Sequence, residues 1–123
     1  MTKRRAAVYG VYSTPGEYKI RVVAYSKATG RPYRKWRVIQ GSLLCDGVFG
    51  LADEPLGRLT LTHIGTGMAA GHYPSRQKAY AAAQRLLGLD LPWSATSIKE
   101  WKAKKSSAPS DEAIKIIERY GHR

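Results

Sequence analysis

The chain has 123 residues, 43% of them hydrophobic and 24% charged, which suits one folded domain with a modest core and excludes wholesale disorder. Lys and Arg number 21 against 9 Asp and Glu, a formal net charge of +12, so the partners to expect are polyanions: nucleic acid, an anionic membrane surface or an acidic protein. One cysteine, Cys45, cannot close an internal disulfide, and no apolar run approaches the ~18 residues that span a bilayer.

The N-terminal stretch MTKRRAAVYG carries Lys3, Arg4 and Arg5 without a following apolar segment, so it does not read as a signal peptide. A cytoplasmic protein is expected, with a cationic arm able to follow a nucleic-acid backbone or enter a minor groove. Alternation of residue types then predicts strands over residues 7–12, 18–25 and 33–39. Ser13-Thr14-Pro15-Gly16 reads as a four-residue loop that sets Tyr12 opposite Glu17, Tyr9 opposite Ile20 and Ala7 opposite Val22.

Between the second and third strands, a loop of Ala28-Thr29-Gly30 with Gly30 in the left-handed position sets Ile20 opposite Val38, Arg21 opposite Arg37 and Val22 opposite Trp36. A four-residue loop would put Ile20, Val22 and Ala24 on the face of Lys35 and Arg37, burying cations or exposing aliphatics, and is set aside. One face of the meander is then Ala7, Tyr9, Val11, Ile20, Val22, Ala24, Trp36 and Val38, the expected core surface. The other is cationic and aromatic, with Tyr12, Lys19, Arg21, Tyr25, Tyr33, Lys35 and Arg37.

Residues 43–51, LLCDGVFGL, predict a fourth strand bulged or turned at Asp46-Gly47. Strands over residues 58–64 and 68–73 follow, joined by the turn Gly65-Thr66-Gly67. Ser75 should cap a helix running to Leu87, with Gly88 as its stop and Ala79, Tyr80, Ala82, Ala83, Leu86 and Leu87 facing inward, while Arg76, Lys78 and Arg85 are left outside. Ser97 and Glu100 form a capping box for a second helix, residues 106–109 read as a linker, and a third helix capped by Ser110 should bury Ala113, Ile114, Ile117 and Tyr120. The expected fold is α+β: an antiparallel sheet of about five strands covered by one helix, with two short C-terminal helices. Residues 1–105 would form one domain with its basic arm, and residues 106–123 a linker and helix docked on it.

Catalytic and metal-binding patterns are weak. The acids fall at turns and in the helical tail, and Cys45 with the dispersed His63, His72 and His122 has no ligand spacing of a recognised kind, so neither a metal nor a cofactor is expected. His63, His72 and Asp46 are the sole enzyme-like set. The run GTGMAAG lacks the Lys-Ser/Thr of a phosphate loop and reads as a turn. A helix-turn-helix over residues 76–87 and 97–105 would need a turn far longer than the usual three or four residues.

The charge asymmetry is sharper. Residues 1–37 hold ten cations and one acid, and RPYRKWR interleaves aromatics with cations in the manner of surfaces that neutralise phosphates and stack on bases. The strands YKIRVVAY and YRKWRVI and the passage HYPSRQKAYAAAQRLL resemble the small sheet-plus-helix DNA-binding modules of the AP2 and integrase arm-binding type. That resemblance implies that a sheet face contacts DNA through Lys19, Arg21, Lys35 and Arg37; the chain departs from those modules by inserting about thirty residues, 41–71, before the helix.

The function expected is that of a small basic non-enzymatic protein that binds DNA or RNA through this face, an accessory regulator of the kind phages and plasmids carry. Lys3, Arg4 and Arg5 of the arm, Lys19, Arg21, Lys35 and Arg37 of the sheet, and Arg76 and Lys78 of the helix would meet phosphates, with Tyr25 and Tyr33 at bases or sugars. The alternative is an inhibitor or adaptor whose basic face docks on an acidic or nucleic-acid-binding protein. Either fits a monomer, or a homodimer formed through a sheet edge or through Trp93, Ile98 and Trp101.

Overall fold

The computed structural model describes residues 13–53, 58–105 and 107–123. Its first two strands are long: β1 (Ser13–Tyr25) and β2 (Pro32–Leu44) pair antiparallel from Ser13 opposite Leu44 to Tyr25 opposite Pro32. Residues 13–16, expected as a loop, are therefore strand. Pro15 is tolerated there because, among the described residues, β1 is the edge of the sheet, where a missing N–H leaves no ladder bond unmade. The strand expected over residues 7–12, and its pairings through Tyr9 and Ala7, lie outside the described residues, as do Lys3, Arg4 and Arg5.

The register differs by one residue from the expected one. Ile20 faces Arg37, Arg21 faces Trp36 and Val22 faces Lys35, so the loop is Lys27-Ala28-Thr29-Gly30. It is one helical turn in which the Gly30 N–H donates to Ser26 O at 2.8 Å and the Ser26 N–H to Arg31 O at 2.9 Å, with Gly30 left-handed at φ 69°. Gly30 suits the last loop position in either register, so it could not decide between them. The other end of the hairpin does: Tyr18 and Ile39 must share one buried face, and they pair directly.

At Cys45 and Asp46 (φ 54° and 56°) the chain makes a tight turn, closed by the Gly47 N–H on Leu44 O at 3.2 Å. Of the two options for residues 43–51, a bulge or a turn at Asp46-Gly47, the chain takes the turn, so the start of the stretch finishes β2 and its end forms β3 (Phe49–Ala52). Strands β4 (Leu59–His63) and β5 (Met68–Tyr73) complete a five-stranded antiparallel sheet in the order β1-β2-β3-β4-β5. The sheet curls, because the Arg21 N–H in β1 donates to Gly67 O in the β4–β5 turn at 3.1 Å.

Both faces at the base of the hairpin are buried, each against a different partner. Leu44, Phe49, Leu51, Leu61 and Tyr73 meet Ala79, Tyr80, Ala82, Ala83 and Leu86 of α1 (Arg76–Leu87). On the other face Tyr18, Ile20, Ile39 and Ala52 form a second cluster with Val22, Leu43 and Ile64 packed against it, and the Tyr18 ring covers Gly50 so closely that a Cβ there would lie 2.5 Å from it. Trp36 and Val38, expected in the core, belong to neither cluster.

Helix α1 starts where its cap predicts, with Ser75 Oγ accepting from the Lys78 N–H at 3.3 Å; Leu87, however, is exposed. Helix α2 (Ile98–Lys104) has Ser97 Oγ accepting from the Glu100 N–H at 3.1 Å, while the Glu100 carboxylate accepts from Thr96 rather than Ser97. Helix α3 (Ser107–Tyr120) absorbs the expected linker. Pro109 falls in its first turn, where no intrahelical N–H is required, so the start at Ser110 is overturned. It lies against α1 and β5, with Ile116 rather than Ile114 joining the core cluster. After it, His122 pairs with His72 by two backbone bonds of 2.7 and 2.9 Å.

Gly65 marks the tightest junction between the sheet and the segment before α2, since a Cβ there would lie 1.9 Å from the backbone oxygen of Ala95. Backbone cannot rotate away as a side chain can. Gly65→Ala should cost about 2–3 kcal/mol, read as a lower urea midpoint with an unchanged slope.

Candidate nucleic-acid interface

Beyond the curled base, the β1–β2 hairpin is a two-stranded ribbon on which every residue from 27 to 38 is exposed. Direct partners share a face. One face therefore carries Lys19, Arg21, Val23 and Tyr25 with Arg34, Trp36 and Val38; the other carries Val22 and Ala24 with Tyr33, Lys35 and Arg37. The expected single surface is thus divided between two: Lys19, Arg21 and Tyr25 on one side, Tyr33, Lys35 and Arg37 on the other. Lys27 and Arg31 lie at the tip, and the one acid of the hairpin, Glu17, sits at the base, where it accepts from Gln40 Nε2 at 2.7 Å.

The argument that Arg21 and Arg37 repel across the strands also falls. Arg21 instead stacks its guanidinium 4.7 Å from the centroid of the Trp36 ring, which lies against Gly67 on the β4–β5 turn. Its Nε is buried without a hydrogen-bond partner, so the stack is what orients the group. Around it lies apolar surface, with Trp36 47%, Val38 53%, Val23 59% and Tyr25 67% exposed.

The helix cations go elsewhere. Arg76 Nη1 donates to Tyr80 Oη at 3.3 Å and to Ser42 Oγ at 3.4 Å, tying α1 to β2, whereas Lys78 borders a cleft with Arg58, Arg119 and His122. Arg34 and Trp36 are exposed hairpin residues that sequence reasoning left off the candidate surface. The one-residue register error assigned their side of β2 to the core. RPYRKWR itself held the signal, since its cations fall at both odd and even positions and leave neither strand face free of charge.

Two members of the enzyme-like set, His63 and His72, make hydrogen bonds within the fold. His63, 4% exposed, has its Nε2 2.7 Å from Trp93 O and its Nδ1 2.9 Å from Thr66 Oγ1, a pairing that suits a neutral ring donating from Nε2. Burial lowers its proton affinity, only partly offset by the Trp93 carbonyl. The ring stands in an aromatic cluster with Phe49, Trp93 and Trp101. His72 bonds Thr60 Oγ1 at 2.8 Å and is also held below the usual histidine range, by burial first and then by Arg58 and His122. Burial, then Asp46, pushes the Cys45 thiol up to about 11, so it is protonated at neutral pH.

Both histidines resist protonation in the fold, whereas the unfolded chain accepts protons near 6.5. Their contribution to stability is therefore complete above pH 6.5 and is lost as pH falls from there toward the folded-state values. The urea midpoint should decline between pH 7 and 5, and His63→Gln with His72→Gln should flatten that decline while lowering the plateau.

Among the described residues, no helix is long and apolar enough to cross a membrane, and no three of His, Cys, Asp and Glu come together as a metal site. Compared with known proteins, the chain matches no family model, no curated protein and no solved structure.

Proposed function

We propose that the protein is a non-enzymatic nucleic-acid-binding protein, an accessory regulator, whose β1–β2 hairpin is an arm that enters the groove of a duplex. One observation carries the reading: cations and exposed aromatics occupy both faces of a paired ribbon whose single acid is withdrawn to its base. A flat platform for an unpaired strand needs only one such face. A ribbon between groove walls meets phosphate on both sides, and two strands about 5 Å apart with their side chains suit a major groove about 12 Å wide. The four residues of β1 beyond Arg21 reach roughly 13 Å at ~3.3 Å each, enough to cross the groove floor.

Within the groove, Lys19, Arg21, Arg34, Lys35 and Arg37 neutralise phosphates, and Tyr25, Tyr33 and Trp36 contact sugars or base edges. Fluorescence anisotropy of labelled duplex, single-stranded DNA and RNA against variants of each face tests this. A preference for single strands, or binding indifferent to both faces, overturns it.

The exposed apolar group of Val23, Trp36 and Val38 favours a second reading, an adaptor docking on a protein. In that case Val38→Asp abolishes partner binding and leaves nucleic-acid affinity untouched.

A further inference from the structure

A cleft of about 700 Å³ lies where β4, β5, α1 and the end of α3 meet. Three permanent cations border it from three different elements of the chain: Arg58 just before β4, Lys78 in the first turn of α1 and Arg119 in the last turn of α3. His122 joins them, its Nε2 accepting from Arg58 Nη1 at 3.2 Å.

Like charges gathered from separate elements repel one another unless something neutralises them. Among the described residues, the ion pairs of Glu100, Glu112 and Glu118 are with Lys104, Lys115 and Arg123, none of which borders the cleft. Among the described residues, Asp53 is the one carboxylate that borders the cleft, against the three permanent cations. Leu59, Pro74 and Tyr120 supply apolar wall, and the guanidinium carbons of Arg85 and Arg119 each stand 5.9 Å from the Tyr120 ring.

We infer that this cleft binds a phosphate monoester of nucleotide size, with Arg58, Lys78 and Arg119 around the phosphoryl group and Tyr120 beside the base. A dianion suits a cleft bordered by three permanent cations, Arg forks suit phosphate oxygens, and the volume lies within the ~300–1,000 Å³ of small-ligand sites. The site is independent of the hairpin and of the function proposed for it. The depressed proton affinity of His72, to which Arg58 and His122 contribute after burial, accords with positive charge at this end of the sheet.

The test is an NMR titration following the imidazole signals of His72 and His122 with inorganic phosphate, adenosine 5′-monophosphate, adenosine, or a short duplex without terminal phosphates. The monophosphate should bind in the sub-millimolar range, inorganic phosphate more weakly and adenosine not at all. Arg58→Gln and Arg119→Gln should each weaken the monophosphate by about tenfold, whereas Lys19→Glu with Arg34→Glu should leave it unchanged. Both Arg side chains are exposed, so the variants should fold, as circular dichroism would verify. No response to the monophosphate, or an equal response in both Gln variants, overturns the inference. A monophosphate no tighter than inorganic phosphate overturns the nucleotide assignment, and a response to the duplex alone overturns a small-ligand site.

Discussion

Lys19→Glu with Arg34→Glu should weaken binding to a short duplex by roughly thirtyfold or more near physiological salt, and Lys35→Glu with Arg37→Glu should do the same from the opposite face. The magnitude follows from counterion release. Each phosphate contact contributes ~0.9 to the slope of log K against log salt, or about fivefold at ~0.15 M, so two lost contacts remove roughly thirtyfold and flatten the slope by about 2. Reversing the charge adds repulsion to that loss.

The two pairs lie on opposite faces of the ribbon, which is what makes the comparison informative. A groove-inserted arm needs both; a one-sided platform needs one. Lys99→Glu with Lys102→Glu in α2 changes net charge equally and should cost much less, since long-range attraction between exposed charges is screened beyond about 8 Å. If all three double variants weakened binding alike, the hairpin would have no special role.

Phe49→Ala should be the most destabilising single truncation, costing about 3–5 kcal/mol. Phe49 is fully buried at the start of β3, where it joins the core beneath α1 to the aromatic cluster, its ring 5.2 Å from Trp93 and 6.3 Å from His63. Removing it leaves a cavity that Trp93, held by its Nε1–H on Leu89 O at 3.2 Å, cannot readily fill. A drop in melting temperature of roughly 10–20 °C should result, with a change in tryptophan emission before unfolding. The hairpin charge variants should leave melting nearly unchanged, separating binding from folding.

Several elements were legible because their signals are local. Ser75 and Ser97 cap helices through bonds to residues three positions on, and those two starts fall where expected. Alternation in residues 58–64 and the turn at residues 65–67 gave β4 and β5 to within a residue. The α+β class and the five strands followed from the same kind of pattern.

The hairpin register was not legible, for a reason specific to this chain. Alternation reports a face only where one side is buried, and from Val23 to Val38 the ribbon has no buried residue on either side, so its sequence there carries little constraint on which residues face which way. The choice is made at the base, where Tyr18 and Ile39 enter one cluster and Leu44 the other, and two buried faces on one short stretch cannot be told apart by period alone.

By itself, then, the sequence determined the concentration of cations in the first third of the chain, the class of fold and the starts of the first two helices, all of which rest on composition or on contacts a few residues long. Tertiary structure alone decided the division of the cations between two faces, the stacking of Arg21 on Trp36, and the meeting of Arg58, Lys78 and Arg119 in one cleft. Each of these depends on contacts between residues far apart in the chain, which only the packed sheet and helices bring into register.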